Sequence, residues 1–178
     1  MMSLNYYLRL SARGDHEAAY QAAQIMHHEG RSDLSVQAQL RHAASCGSTR
    51  AMRWLGFIGL SEKLITPQSS LTNLSYYKGF EQAYQWFSQG AIQGDTVCII
   101  ATGFCLLHGI GVTQDMQKSK ELISGVTDRV SVEAIVPIIF LLNTLVPTTP
   151  QFRESIHHNL IDEMSGTKGG QHGEDQNY

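Results

Sequence analysis

Histidine and cysteine are the residues of this sequence that could carry chemistry, because both ligate metals and both act in nucleophilic catalysis. The chain of 178 residues has eight histidines and three cysteines. Four of the histidines form the adjacent pairs His27-His28 and His157-His158. Adjacent side chains on a helix point about 100° apart, so neither pair is suited to chelating one ion. The sequence also lacks HExxH and other zinc spacings, and we predict no metal site and no cofactor.

The three cysteines are Cys46, Cys98 and Cys105, and they form no CxxC motif. Cys98 and Cys105 would share one face of a helix but lie about 10 Å apart along its axis, too far for a disulfide. We expect both to be buried, inert thiols. Free thiols favour a reducing compartment, so we expect the protein in the cytoplasm.

A catalytic alternative is a hydrolase that uses Cys105 with His108, three residues later on the same helix. No acid that would orient the histidine is evident in the sequence. GxSxG is missing, and the glycine-containing stretch at residues 109–115 has neither the lysine of a P-loop nor a preceding strand. We therefore predict a protein without catalytic activity.

Composition excludes other classes of function. Thirteen basic and sixteen acidic side chains give a net charge of −3, which is not the cationic surface of a nucleic-acid-binding protein. The N-terminal residues lack the pattern of a secretory signal. The most apolar run, residues 134–146, is shorter than the roughly 20 residues needed to span a bilayer, and we interpret it as a buried helix.

Internal repeats indicate which elements position these residues. Four similar segments begin at Gly14, Gly47, Gly94 and Val130. In the first three, a residue suited to capping a helix N-terminus follows the glycine: Asp15, Ser48 and Asp95. Apolar and small residues then recur at three- and four-residue spacing, and no segment shows the alternation typical of a strand. The pattern predicts stacked helix pairs that bury a continuous core.

The linker at residues 107–118, LHGIGVTQDMQK, has a specific pattern. Gly109 and Gly111 permit the positive φ angles of a tight turn, Val112 can fill the gap between helices, and Asp115 can cap the next helix. The pattern resembles the linker of the Sel-one-like repeat (SLR) family, relatives of the tetratricopeptide repeats. Further residues match the helices of that repeat: Ala43, Ala44, Gly47, Ala51, Leu55, Gly56, Ala83, Trp86, Ala91 and Gly94.

The resemblance implies an all-α fold, a right-handed α-solenoid of about four antiparallel helix pairs. We expect one domain over residues 1–164 and a disordered polar tail over residues 165–178. The first linker is reduced to Glu29-Gly30, and the second, residues 62–78, carries an insertion. The fourth unit has Ile138-Ile139 where the family has Leu-Gly, and we expect Phe152 to Met164 as its second helix.

The resemblance also implies that the first helix of each pair lines a concave groove that binds a protein or peptide. The residues predicted to face or border this groove are Tyr20, Gln24, His27, His28, Arg53, Trp54, Phe57, Leu60, Ile100, Phe104, Leu107, His108, Val136 and Phe140. The alternative for Phe57, Phe104 and Phe140 is that they pack between units. A second candidate is a loop patch at Tyr76 and Tyr77 in the long linker, whose alternative is a tolerated insertion.

These observations predict a non-catalytic interaction module that acts as an adaptor, a regulator or an inhibitor. A narrower alternative is a bacterial immunity protein that neutralises a secreted effector toxin, a role that some members of the family have. We expect a monomer or homodimer that has a protein or peptide partner and no nucleic-acid partner.

Overall fold

The computed structural model describes residues 3–65 and 73–145, and within these ranges the chain forms eight α-helices and no strand. The helices are α1 (Leu4–Ser11), α2 (His16–His28), α3 (Asp33–Ser45), α4 (Thr49–Ile65), α5 (Asn73–Ile92), α6 (Thr96–His108), α7 (Met116–Thr127) and α8 (Val132–Leu145). Each helix packs against the next along the chain up to α7, and α8 packs mainly against α6. The predicted all-α repeat architecture is confirmed.

Three of the corners between helices share one backbone geometry. The glycine at each corner has a positive φ, of +88° at Gly14, +99° at Gly47 and +83° at Gly94. The amide of the next residue donates to the carbonyl five residues earlier, at 3.3, 3.0 and 3.1 Å respectively. This left-handed helix end is favourable for glycine because it has no Cβ. The three glycines therefore occupy equivalent corners, as the repeat pattern predicts.

The residue after each corner glycine caps the following helix. Asp15 accepts a hydrogen bond from the Ala18 amide at 2.9 Å, and Asp95 accepts one from the Cys98 amide at the same distance. Ser48 Oγ accepts from the Ala51 amide at 3.3 Å. The capped amides have no acceptor within their own helix, so these bonds fix where each helix begins.

The GxGV loop between α6 and α7 contains two further left-handed glycines, Gly109 at φ +69° and Gly111 at φ +66°. Asp115 caps α7 by accepting from the Lys118 amide at 2.9 Å, as predicted. The predicted role of Val112 is wrong, because Ile110 is the apolar residue that is buried (1% exposed) and Val112 is only half-buried. The Ile110 amide donates to the carbonyl of Cys105 at 2.9 Å, and this bond folds Ile110 back against the end of α6.

The helices form two layers. Neighbouring members of one layer, α4, α6 and α8, contact one another, and α2 joins this layer through side-chain contacts to α4. We call α2, α4, α6 and α8 the first-helix layer, since each is the first helix of its repeat. Small residues allow close packing between the layers: a Cβ on Gly103 of α6 would lie 2.8 Å from Ile123 of α7.

Two expectations about the second linker and the apolar run are wrong. Tyr76 and Tyr77 lie inside α5, which begins at Asn73, so the loop patch does not exist as a loop. The helix α4 extends to Ile65 and α5 begins at Asn73, so both helices include residues that the sequence assigned to the second linker. Residues 134–145 are helical but only partly buried: Ile135 and Leu142 lie in the core, while Val136, Phe140 and Leu141 are exposed. Among the described helices, α8 packs on α6 and α4.

The predicted second helix of the fourth unit and the predicted domain boundary at residue 164 both lie outside the described residues, as does the predicted tail. None of the described helices is both long enough and apolar enough to cross a membrane.

Candidate protein-binding surface

Three aromatic side chains of α2 and α4 meet in the first-helix layer. The Trp54 ring contacts Tyr20 and His27 edge to face, with ring centroids 6.1 and 5.4 Å apart. Trp54 and Tyr20 are half-buried and pack on the core of α2, α3 and α4, whereas His27 is exposed. Contacts of this kind stabilise by about 0.5–1.5 kcal/mol beyond the area they bury, so the rings hold each other in position. We call Tyr20, His27 and Trp54 the aromatic cluster.

Polar contacts fix the orientation of Tyr20 within the cluster. The guanidinium of Arg50 lies 5.9 Å from the centre of the Tyr20 ring, and Arg50 also pairs with Glu17 at 3.0 Å. Gln24 Nε2 donates to the Tyr20 hydroxyl at 3.3 Å. These contacts restrict the rotamer of Tyr20 while leaving part of its ring accessible to solvent.

An ion pair joins the next two units of the layer. Arg53 of α4 donates to the carboxylate of Asp95, which also caps α6. Partial burial alone would raise the pKa of Asp95, but the hydrogen bonds from Arg53 and from the Cys98 amide outweigh burial and hold this pKa below its usual value. The Asp95 side chain is 9% exposed and that of Arg53 is 36% exposed. A charged, oriented guanidinium therefore lies one residue from Trp54 in sequence.

The structure divides the residues predicted to face the groove into accessible and buried sets. The half-buried ones are Tyr20, Gln24, Arg53, Trp54, Phe57, Leu107 and His108, and the exposed ones are His27, His28, Val136 and Phe140. Leu60, Ile100 and Phe104 are buried, at 0%, 0% and 4% exposed. Their predicted accessibility to a partner is wrong because α4 and α6 are interior helices, with neighbours on several sides.

The alternative interpretation of the three phenylalanines is that they pack between units, and the ring contacts of Phe57 and Phe104 lie within single units. Phe104 is buried and its ring lies 4.6 Å from that of His108 on the same helix. Phe57 contacts Phe87 of α5 edge to face at 5.3 Å between ring centroids. Phe140, in contrast, is 72% exposed on α8.

Glu17 and Arg50 are absent from the residues predicted from the sequence, although they support the aromatic cluster. The spacing contains a signal that could have identified them. Glu17 lies three residues before Tyr20 and Arg50 lies four residues before Trp54, so each shares a helix face with an aromatic residue.

The thiols have properties that oppose the hydrolase alternative. Cys98 and Cys105 are buried as predicted, and none of the three cysteines forms a disulfide. Burial raises the pKa of Cys105 to about 12, and burial together with the charge of Asp95 raises the pKa of Cys98. Such thiols are protonated and unreactive at neutral pH. No group of histidine, cysteine and acidic side chains within residues 3–65 and 73–145 has the arrangement of a metal site.

Taken together, the equivalent glycine corners, the GxGV loop and the two helix layers define an α-solenoid of the SLR fold. A Sel1 repeat protein from Oxalobacter formigenes has a similar crystal structure, with a TM-score of 0.59 and 21% sequence identity over 76% of this chain and 96% of that one. A protective antigen of uropathogenic Escherichia coli strains, also described as displaying an SLR fold, gives a TM-score of 0.48 and 18% identity over 98% of this chain and 38% of that one. No protein-family model and no curated protein matches the chain. The likeness to the Oxalobacter protein establishes the fold.

Proposed function

We propose that this chain is a protein-interaction repeat that binds a protein or peptide partner on its first-helix layer, as an adaptor, a regulator or an inhibitor. The observation that supports this function is the aromatic cluster, in which Trp54 is held between Tyr20 and His27 and remains half-buried. Tryptophan, tyrosine and arginine are the residues that most often dominate the free energy of protein binding.

The cluster is organised before any partner arrives. Its rings contact one another, and Arg50 and Gln24 restrict Tyr20 further. A side chain that is already ordered loses little conformational entropy when a partner binds, so more of the contact energy appears as affinity. Arg53 adds a positive charge that is oriented by Asp95 and partly exposed.

The proposed binding surface consists of the accessible residues of the predicted groove. It runs from α2 to α8 through Tyr20, Gln24, His27, His28, Arg53, Trp54, Phe57, Leu107, His108, Val136 and Phe140. The three free thiols support our proposal that the protein works in a reducing compartment such as the cytoplasm.

The two tryptophans of the chain provide a matched experiment. Trp86 of α5 is also half-buried and packs on the same core as Trp54, but it lies on a second helix of a repeat. The full chain, Trp54→Ala and Trp86→Ala would each serve as bait in native lysate of the source cells, with quantitative mass spectrometry of the captured proteins. The most enriched partner would then be purified and its affinity for each variant measured by calorimetry.

We expect Trp54→Ala to weaken binding of that partner by about 2 kcal/mol, or roughly thirtyfold, and Trp86→Ala to change it little. Thermal melts of both variants would show that each is folded. A partner that binds the folded Trp54→Ala protein as tightly as the unmodified chain would contradict the proposed surface.

A further inference from the structure

A cleft of about 300 Å³ lies between the beginning of α6 and the second half of α7, away from the aromatic cluster. Its walls are apolar at Ile99, Leu122 and Val126, and bare backbone is exposed at Gly94 and Gly125. A volume of this size matches the lower end of sites that hold small molecules or single side chains.

The repeat explains why the cleft is open. The helix α3 packs on the corner at Gly14 as α7 packs on the corner at Gly94. Five residues before Gly47, His42 of α3 places its Nε2 atom 3.1 Å from the carbonyl oxygen of Ser11. Five residues before Val130, the equivalent position of α7 is Gly125, where an added Cβ would meet no atom within 4 Å. The later repeat therefore leaves open a space that a histidine occupies in the first repeat.

A second equivalent position makes the wall of the cleft apolar. Gln39 of α3 lies eight residues before Gly47, and its Nε2 atom donates to the hydroxyl of Ser11 at 2.9 Å. The same atom lies 3.4 Å from the carbonyl oxygen of Ala19 on α2. At the later corner the equivalents of Gln39 and Ala19 are Leu122 and Ile99, and both line the cleft. The polar side chain of Gln39 is thus replaced by the apolar Leu122, and the small Ala19 by the larger Ile99.

Charged residues lie at the two ends of the cleft. The antiparallel packing of α6 and α7, marked by the hydrogen bond from Ser119 Oγ to the Gly103 carbonyl at 2.7 Å, places Arg129 at the same end as Gly94. At the other end, Glu121 accepts a hydrogen bond from Gln117 at 2.8 Å. Arg129 is exposed and has no ion pair with any residue that the structure describes. Glu121 is also exposed and has no ion pair among the described residues, because the Gln117 amide that contacts it is neutral. The cleft is therefore positive at its Gly94 end, where Arg129 lies, and negative at its Glu121 end.

We propose that this cleft is a second binding site, which accepts one bulky apolar side chain of a protein partner with a carboxylate beside it that pairs with Arg129. The apolar side chain would cover Ile99, Leu122 and Val126, and the bare backbone at Gly125 gives it room to enter. The carboxylate belongs to an acidic side chain or to the C-terminus of the partner, and both present the same group to the guanidinium.

A peptide titration of the full chain tests the site. The probe is N-acetyl-Phe-Asp-amide, followed by ¹H–¹⁵N correlation spectra. N-acetyl-Phe-Lys-amide tests the charge preference, N-acetyl-Ala-Asp-amide tests the need for a large apolar group, and N-acetyl-Phe with a free carboxylate tests the C-terminal source. We expect saturable shifts of the Gly94, Gly125 and Val126 amides with the two phenylalanine carboxylates, and weaker shifts with the other two peptides.

Substitutions at Gly125 distinguish the cleft from non-specific binding. Gly125→His supplies the side chain that fills the first corner, Gly125→Gln is a second filling variant, and Gly125→Ala is the matched control that leaves most of the cleft open. All three replace glycine inside a helix, where other residues are more favourable, so we expect them to fold. We expect the two filling variants to bind the probe with an affinity lower by about tenfold or more. The alanine variant should bind it with an affinity within about twofold of that of the unmodified chain.

Arg129→Gln should remove the preference for the aspartate peptide over the lysine peptide. The proposal is overturned by the absence of saturable shifts with either carboxylate probe, by unchanged binding in a folded filling variant, or by equal binding of the lysine and aspartate peptides to the unmodified chain.

Discussion

Substitution of Gly111 by alanine tests how the GxGV loop holds successive repeats together. Gly111 has a φ of +66°, and a Cβ at this position would lie 2.6 Å from the amide nitrogen of Glu81 and still closer to the carbonyl group of Phe80. The loop therefore approaches the backbone of α5 so closely that only glycine fits. Gly109 is a matched control: its φ is +69°, but an added Cβ would make ordinary contacts, the nearest at 3.5 Å from Gln114.

The two glycines allow the free-energy terms to be separated. A left-handed conformation costs a residue with a Cβ roughly 1–2 kcal/mol. Alanine also reduces the entropy of the unfolded chain, which offsets about 0.4–1 kcal/mol. Gly109→Ala should therefore lower the free energy of unfolding by about 1 kcal/mol. Gly111→Ala has the same cost of the left-handed conformation and also forces the loop away from α5. Because backbone atoms must move, this displacement should lower the free energy of unfolding by about a further 1–3 kcal/mol.

Urea denaturation followed by far-ultraviolet circular dichroism measures both variants. We expect Gly111→Ala to unfold at clearly lower urea than Gly109→Ala, and its melting temperature to fall by about 2–4 °C for each additional kcal/mol. Equal losses of stability in the two variants would refute the close approach of this loop to α5. Unchanged stability in Gly109→Ala would refute the left-handed conformation as the reason for glycine there.

Three further predictions concern the ion pair, the packing of α5 on α6 and the thiols. Because the folded-state pKa of Asp95 is lowered, its ionised form stabilises the fold above the ordinary carboxyl pKa, and this contribution disappears as the pH falls through the folded-state value. Asp95→Asn keeps a capping side chain but loses the charge pair with Arg53, so it should lower the free energy of unfolding by about 1 kcal/mol at neutral pH. It should also reduce the loss of stability in acid, which urea denaturation at several pH values measures. An unchanged acid profile would contradict this. Gly90→Ala should lower the free energy of unfolding by about 1–3 kcal/mol, because a Cβ there would lie 3.0 Å from the Cβ of Cys98 and closer still to its sulfur. In thermal melts, adding Cys98→Ala to Gly90→Ala should restore part of this loss. With a thiol reagent near neutral pH, the half-buried Cys46 should react first and the two buried thiols only on unfolding; rapid reaction of a second thiol in the folded protein would contradict their burial.

The sequence predicted the repeat because the signals that form it are local. A corner glycine, the capping residue after it and the next helical turn lie within about five residues, so hydrogen bonds and sterics within one short segment decide their conformation. The same holds for the GxGV loop, where both positive φ angles and the Asp115 cap were predictable from residue type. Residue type could not predict which of Ile110 and Val112 is buried, because this depends on how the loop folds over the end of α6.

The candidate binding surface was only partly predictable, because exposure depends on neighbours that are distant in sequence. Tyr20 and Trp54 were identified from their register on the helix, but Leu60 and Phe104 have an equivalent register and are buried. A helix period defines the face of one helix and does not tell how many other helices surround it. The exposure of Phe140 on α8 has the same origin.

Residue types and short spacings alone thus determined the fold class, the helix corners and the caps. Tertiary structure decided the rest: the pairing of Arg53 with Asp95 across 42 positions of the chain, the edge-to-face contacts of Trp54, and the open space beside Gly125. The physical reason is that local conformation depends on interactions within a few residues. Accessible surface and charge compensation depend instead on the packing of helices far apart in sequence.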